Sequence, residues 1–276
     1  MRLYRTLSGP VVEQDGSWHR LPEQPWDDLI NRDDLGAHLT AQIRNVRPDP
    51  KEADLLAGPL PPPIGSQEVW ASGVTYLRSR QAREEEAQTA DVYARVYAAE
   101  RPELFFKAPA WRVVGHGGAV RIRRDSTWNV PEPELVLLAT SSGHIVGVTI
   151  GNDMSSRSIE GENPLYLPQA KIYDGACALG PCILVSEETP GPSTEIRLVI
   201  MRAGQTVFEG GTTLAQLKRK PQLLVDYLFR ETRFPAGCFL FTGTGIVPEG
   251  GFTLKPGDEV RISISGIGTL TNPVSA

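Results

Sequence analysis

From residue 104 onward the chain consists of short apolar runs separated by polar or glycine-containing segments. The clearest runs are ELVLLAT (134–140), HIVGVTI (144–150), CALGPCILV (177–185) and EIRLVIM (195–201). The segments TSSGH (140–144) and RAGQT (202–206) have the composition of hairpin turns. Runs of this length between turns predict β-strands, as does the shorter run WRVVG (111–115), and PQLLVDYLFRE (221–231) predicts a helix among them. The polar segment over residues 153–171 is predicted to be a loop.

The first part of the chain is patterned differently. Residues 79–100 place apolar side chains at helical spacing and fill the other face with Arg and Glu, so a helix is predicted after a strand at 68–76. Residues 57–65, AGPLPPPIG, carry four prolines, which exclude a helix and indicate a connector. We therefore predict a small N-terminal domain over residues 1–60 and a larger domain over residues 66–276. Many strands, few helices and no regular alternation of strands with helices predict a β-rich α+β fold with mixed sheets.

The composition of the chain narrows the classes of protein to which it could belong. The chain has 276 residues, is 40% hydrophobic and carries a formal net charge of −5 without a block of like charge. This gives no electrostatic reason to expect nucleic acid or an anionic membrane as a partner. With no signal-like start and no apolar run near 20 residues, we expect a soluble, cytoplasmic protein. We expect Cys177, Cys182 and Cys238 to be buried thiols, and the four scattered histidines argue against a zinc site.

One strand begins with two carboxylates. In TWNVPEPELVLL, Glu132 and Glu134 are two residues apart and should project from the same face. The hairpin that follows would bring Asp153 to the same end of the antiparallel pair. Three converging carboxylates suit a hard divalent cation. The alternative is a surface carboxylate cluster balanced by Arg157 and Lys171, and spacing alone leaves both open.

Four segments together resemble the fumarylacetoacetate hydrolase family: PEPELVLL (131–138), GHIVGVTIGNDMSSRS (143–158), LPQAK (167–171) and TGTG (242–245). They occur in the order typical of the family, and the resemblance covers about residues 66–276. It implies a roll of mixed β-sheets preceded by a small N-terminal domain.

The resemblance also implies site residues. Glu132, Glu134 and Asp153 would bind Mg²⁺, with Mn²⁺ and Ca²⁺ left open as alternatives. The residues that would contact a small 2-keto acid substrate are Lys171, Arg157 and Thr244. A homodimer or homotetramer is expected by analogy with the family alone.

Departures from the family pattern indicate a branch. Hydrolases of the family often carry Asn-Tyr-x-x-His after the first core strand, where the His activates water, but Ser79 stands at that position here. The segments AERPELFFKAP (99–109) and IEGENPLYLPQAKIYDGACALGP (159–181) resemble the 2-keto-3-deoxy-D-arabinonate dehydratase branch. The implied reaction is Mg²⁺-dependent loss of water through a metal-stabilised enolate, giving 2,5-dioxopentanoate in oxidative pentose degradation. The alternatives are a C–C hydrolase or decarboxylase of acylpyruvates, diketo acids or oxaloacetate, and a binding protein without turnover.

Several roles remain alternatives. Lys171 is a candidate base, and it could instead form a Schiff base or simply balance the carboxylates. Glu103 is a candidate proton donor or partner of Lys171. The alternative is that Glu103 is an ordinary surface carboxylate. Lys107 could bind the substrate carboxylate or extend from a strand end. Tyr76 could line the pocket or pack as an ordinary aromatic side chain.

Overall fold

The structure, a computed structural model, describes residues 1–79, 90–248 and 250–276. Its strands are β1 (Arg2–Thr6), β2 (Gly9–Gln14), β3 (Ser17–Arg20), β4 (Glu68–Gly73), β5 (Glu103–Pro109), β6 (Val120–Arg121), β7 (Asn129–Val130), β8 (Pro133–Ala139), β9 (Ile145–Asp153), β10 (Ser155–Ser156), β11 (Cys177–Val185), β12 (Glu195–Arg202), β13 (Gln205–Thr213), β14 (Cys238–Phe241), β15 (Glu259–Ile264) and β16 (Gly268–Ser275). Its α-helices are α1 (Trp26–Ile30), α2 (Leu35–Ile43), α3 (Ala90–Ala98), α4 (Arg157–Glu162), α5 (Leu167–Lys171) and α6 (Pro221–Leu228).

The strands form mixed sheets, as predicted. The largest has nine strands in the order β3-β2-β1-β11-β9-β8-β14-β4-β5, and a five-stranded sheet has the order β13-β12-β15-β16-β6. Most neighbours are antiparallel, whereas β14 with β4 and β16 with β6 are parallel. The prediction of a β-rich α+β fold is confirmed.

The central strands of the nine-stranded sheet are apolar because both of their faces are covered. Every residue of β8 and of β9 is buried. Leu135 and Leu137 belong to one hydrophobic cluster, while Val136 and Leu138 belong to the other. Successive strand residues point to opposite faces, so β8 contributes to two cores at once. This is the reason for a continuous rather than an alternating apolar run.

The N-terminal strands extend this same sheet. β1 pairs antiparallel with β11 through Arg2 with Leu184 and Leu3 with Ile183, and β2 and β3 continue the edge. The division into domains at residues 57–65 stays a prediction.

Several local predictions need correction. WRVVG (111–115) is not a strand, because Ala110–Arg112 forms a 3-10 turn and exposes Trp111; Val114 makes only an isolated bridge. The segment after Asp153 is not one loop but contains α4 and α5. The helix predicted over residues 79–100 is confirmed for Ala90–Ala98, and residues 80–89 lie outside the described residues.

Two other expectations can be compared with the structure. The three cysteines are buried free thiols, as predicted. Among the described residues, no helix has the length and apolar character needed to span a membrane.

Candidate active site

The hairpin of β8 and β9 brings the three predicted carboxylates together. Glu134 lies opposite Gly151 in the ladder, and Glu132 and Asp153 exchange backbone hydrogen bonds of 3.2 and 2.9 Å just beyond it. Oxygen atoms of Glu132, Glu134 and Asp153 all lie within 4.8 Å of one another. The predicted convergence of these side chains is therefore present.

The cluster is removed from solvent. All three side chains are buried, and Glu134 is 1% exposed. Burial raises the pKa of Glu134 well above its usual range, the Asp153 and Glu132 carboxylates raise it further, and Lys171 lowers it. Their burial excludes the surface location left open by the sequence, and like charges this close need positive charge beside them.

Lys171 supplies part of that charge. It is the last residue of α5, and its Nζ donates to Glu132 Oε2 and Asp153 Oδ2, both at 2.9 Å, and to Ser155 Oγ at 2.6 Å. Three acceptors match the three N–H bonds of an ammonium group. The acidic cluster thus already stabilises a cation contributed by the chain itself.

Each carboxylate also interacts with a group other than Lys171. Arg157, at the start of α4, donates from Nη2 to Glu132 Oε1 at 2.8 Å. The Gly243 N–H donates to Glu134 Oε2 at 2.5 Å. Lys107, whose side chain is buried, forms an ion pair with Asp153 Oδ1. These contacts fix the orientation of the three carboxylates.

A cavity opens onto the cluster. Its lining includes the three carboxylates together with Lys171, Glu103, Glu160, Ser79 and Thr244. Helix α3 contributes Val92, Tyr93 and Val96, so the lining is partly apolar and partly charged. Among its described residues five carboxylates accompany Lys171, so a small anionic ligand would need a bound cation between itself and the carboxylates.

Glu103 reaches the cavity because of a glycine on the adjacent strand. Gly73 on β4 is the ladder partner of Glu103 on β5. A Cβ atom at Gly73 would lie 2.1 Å from Glu103 Oε2. The carboxylate therefore occupies the space that a side chain at residue 73 would fill, and Glu103 is not the exposed carboxylate that the sequence left as an alternative.

Three predicted substrate contacts lie outside the lining. Arg157 and Lys107 approach the cavity only through the carboxylates they hold, and Tyr76 is buried with its hydroxyl near Glu134. Burial and the Glu134 charge raise the pKa of Tyr76. Direct contact of these residues with substrate stays a prediction.

The sequence did not single out Gly243 or Ser155, although both contact the charged groups. The signal for Gly243 was the TGTG segment. Its φ is +92°, and a Cβ atom at this position would lie 1.9 Å from Thr75 Oγ1, so the backbone requires glycine there. Ser155 gave no comparable signal, because its importance comes from α5 folding back over β10.

The family pattern described as fumarylacetoacetate (FAA) hydrolase C-terminal matches residues 68–275. The chain belongs to the fumarylacetoacetate hydrolase family. This agrees with the resemblance carried by the carboxylates, the Asn-Asp loop, Lys171 and the TGTG segment.

Relatives with named activities are similar over most of the chain. A Haloferax volcanii protein named "Probable 2-keto-3-deoxyxylonate dehydratase" is 49% identical over 214 residues, covering 77% of this chain and 74% of that protein. The 2-dehydro-3-deoxy-D-arabinonate dehydratase of Saccharolobus solfataricus is 42% identical over 274 residues, covering 92% of this chain and 88% of that protein. A structure of 2-keto-3-deoxy-D-arabinonate dehydratase complexed with magnesium and 2,5-dioxopentanoate is 38% identical, with a TM-score of 0.81, covering 100% of this chain and 99% of that chain.

The residues present fit a divalent cation. The cluster offers oxygen donors alone, which hard cations such as Mg²⁺ prefer, and its oxygens are close enough to share one ion. The ammonium of Lys171 at two of these oxygens shows that the cluster stabilises positive charge.

Proposed function

We propose that the protein is a Mg²⁺-dependent dehydratase that converts 2-keto-3-deoxy-D-arabinonate to 2,5-dioxopentanoate in pentose catabolism. The observation that carries this proposal is the buried triad of Glu132, Glu134 and Asp153 in one cavity with Lys171 and Glu103. The two dehydratase relatives and the complex with magnesium and 2,5-dioxopentanoate support the choice of reaction and metal.

The three carboxylates would hold the cation, which would supply Lewis-acid charge to the carboxylate and 2-oxo oxygens of a 2-keto acid. Glu132 and Asp153 also hold the Lys171 ammonium at the cavity wall. Lys171 would take a proton from C3 of the substrate. Glu103, in the same lining, would give a proton to the departing C4 hydroxyl, which leaves as water. Loss of a proton from C5 and return of one to C3 would then convert the unsaturated product to the aldehyde.

Loss of water needs a different arrangement from hydrolysis of a carbon–carbon bond, in which a base must activate water. Ser79 lies in the lining, but its hydroxyl donates to the Tyr76 carbonyl at 2.8 Å and offers no base. Serine in place of a histidine at this position favours elimination over hydrolysis for the same class of 2-keto acid.

The test uses purified protein with 2-keto-3-deoxy-D-arabinonate, with Mg²⁺ and separately with EDTA. Mass spectrometry should show metal-dependent loss of one water and formation of 2,5-dioxopentanoate. Parallel reactions contain an acylpyruvate and oxaloacetate. Cleavage of either one, with the sugar acid untouched, would contradict the dehydratase proposal and leave a hydrolase or decarboxylase. Binding without any product would leave a binding protein.

The expected cytoplasmic location and the homodimer or homotetramer stay predictions. Size-exclusion chromatography with light scattering measures the oligomeric state directly.

A further inference from the structure

The carboxylates of the cluster share an arrangement that the proposed chemistry does not itself require. Glu132 uses Oε1 for Arg157 and Oε2 for Lys171, and Asp153 uses Oδ1 for Lys107 and Oδ2 for Lys171. In each case one oxygen faces the lysine that lines the cavity, and the other is bound by a cation outside the lining. Neither of these two carboxylates has both oxygens directed to the cavity side.

Lys107 is held firmly in this position. The ladder of β4 and β5 pairs Trp70 with Phe106 and Val69 with Ala108, so Lys107 is the extra residue of a β-bulge. Bulges of this kind redirect a side chain. The Lys107 Nζ also donates to the Lys171 carbonyl at 2.5 Å and to the Met154 carbonyl at 3.2 Å. Two backbone carbonyls and the ion pair with Asp153 thus hold the buried ammonium.

Arg157 is equally fixed. Its guanidinium is bound to Glu132 Oε1, its side chain is 1% exposed, and its backbone N–H donates to the Trp128 carbonyl at 2.8 Å. Lys107 cannot leave Asp153 without breaking its contacts with two backbone carbonyls, and Arg157 is held by burial of its charged group beside Glu132. Each therefore withholds one carboxylate oxygen from any ion bound on the cavity side.

We propose that Lys107 and Arg157 set the cation preference of the site by limiting Asp153 and Glu132 to one ligand oxygen each. Mg²⁺ takes six oxygens in a tight octahedron and keeps several waters, so single-oxygen carboxylates suit it. Ca²⁺ takes six to eight oxygens and commonly binds both oxygens of a carboxylate. The arrangement thus disfavours Ca²⁺. This inference rests on the proposed function only in that the cluster binds a divalent cation.

The experiment is isothermal titration calorimetry of the metal-free protein with Mg²⁺ and with Ca²⁺, without substrate. The quantity compared is the ratio of the Ca²⁺ Kd to the Mg²⁺ Kd. Lys107→Met and Arg157→Met each release one carboxylate oxygen and should lower the ratio by about 10-fold relative to wild type. The ratio cancels the general gain in cation affinity that follows loss of a positive charge.

Lys171→Met is the matched control. It removes the same charge from the same two carboxylates, but from the oxygens on the cavity side. Affinity for both cations should rise and the ratio should stay at the wild-type value. Lys107→Gln retains an N–H donor for Asp153 Oδ1 and should also retain most of the wild-type ratio.

The outcomes are distinct. A ratio that is unchanged in both Lys107→Met and Arg157→Met, or lowered equally in Lys171→Met, overturns this inference and leaves the dehydratase proposal intact. Wild-type protein that binds neither cation overturns both. Thermal unfolding of each variant shows that it is folded, and if Lys107→Met does not fold, Arg157→Met decides the question.

Discussion

Lys171 Nζ lies 2.9 Å from Asp153 Oδ2, joining the last residue of a short helix to the last residue of a core strand. The two are 18 positions apart in sequence, and both are buried. This pair couples the fold of the segment after β9 to the chemistry of the carboxylates. Its removal should therefore affect turnover and stability in different ways.

Lys171→Met should lower turnover by about 100-fold to 10,000-fold, the usual contribution of a positioned proton carrier. Loss of one partner from a buried ion pair should also destabilise the cation-free protein by about 3–5 kcal/mol. Added Mg²⁺ should recover most of that stability, since it replaces the missing positive charge. Rate assays and thermal unfolding with and without Mg²⁺ measure both effects.

Near-wild-type turnover in Lys171→Met would leave this residue only the role of balancing charge. The Schiff-base alternative is checked by borohydride reduction of the wild-type protein with substrate, followed by intact-mass measurement. We expect no added mass. A substrate-sized adduct that disappears in Lys171→Met would establish the Schiff base instead.

Removal of a metal ligand gives a second prediction. An ion that binds only the folded state at 100 times its Kd stabilises the protein by about 2.7 kcal/mol, so Mg²⁺ should raise the melting temperature of wild type. Asp153→Asn should lose this rise and lose activity. Asp125→Asn is the control, because Asp125 is exposed and pairs with Arg123 in its own loop. An equal Mg²⁺ effect in wild type and Asp153→Asn would place the cation elsewhere.

The sequence was sufficient for the carboxylate triad because its geometry depends on local rules. The i, i+2 spacing of Glu132 and Glu134 and a tight hairpin determine where Asp153 falls, independently of the rest of the fold. The strands β8 and β9 could also be predicted from their apolar runs, because burial of both faces leaves few polar positions in them.

Other features depend on distant contacts and could not be read from local patterns. The apolar WRVVG segment predicts a strand, yet its chain turns after Pro109 and leaves Trp111 exposed. The bulge at Lys107 arises from its pairing with β4 and has no sequence signature. The Gly243 N–H reaches Glu134 only because β14 lies beside β8.

A third prediction concerns how Glu103 is positioned. Gly73→Ala would place a Cβ 2.1 Å from the present position of Glu103 Oε2, so the carboxylate must move. A displacement near 1 Å at a reacting group costs about 100-fold in rate. We therefore expect a large loss of turnover in Gly73→Ala, measured under saturating Mg²⁺.

A double-mutant cycle separates this effect from a general disturbance of β4. Glu103→Gln should lose as much turnover as Gly73→Ala, and the double variant should lose no more than either, because both changes act through one carboxylate. If the losses of turnover in the two single variants instead add up in the double variant, Gly73 acts independently of Glu103. Glu68 begins the same strand, is exposed and lies outside the cavity lining, so Glu68→Gln serves as the control for substitution in β4.

The last prediction concerns a contact between the N-terminal segment and the turn that joins β8 and β9. Asp33 Oδ1 accepts hydrogen bonds from Thr140 Oγ1 at 2.5 Å and Ser142 Oγ at 2.6 Å, and His144 Nδ1 lies 2.9 Å from Oδ2. The hydrogen bonds from Ser142, Thr140 and His144 lower the pKa of Asp33 to about 2.

The sign of the pH effect follows from that lowered pKa. Unfolded chains titrate their aspartates near pH 3.9, so the folded state holds the ionised Asp33 more strongly. The contact therefore makes its full contribution to the free energy of unfolding above about pH 4. That contribution is lost as the pH drops towards about 2. Asp33→Asn should be less stable than wild type at about pH 7, and the difference should shrink at about pH 3.

Denaturant unfolding of both proteins across this range measures the difference in free energy of unfolding. Asp28→Asn is the control, because Asp28 is an exposed aspartate of α1 in the same N-terminal segment. A difference between wild type and Asp33→Asn that stays constant or grows in acid would contradict the assignment. It would mean that Asp33 acts through packing rather than through its charge, and that this turn does not depend on an ionised anchor from the N-terminal segment.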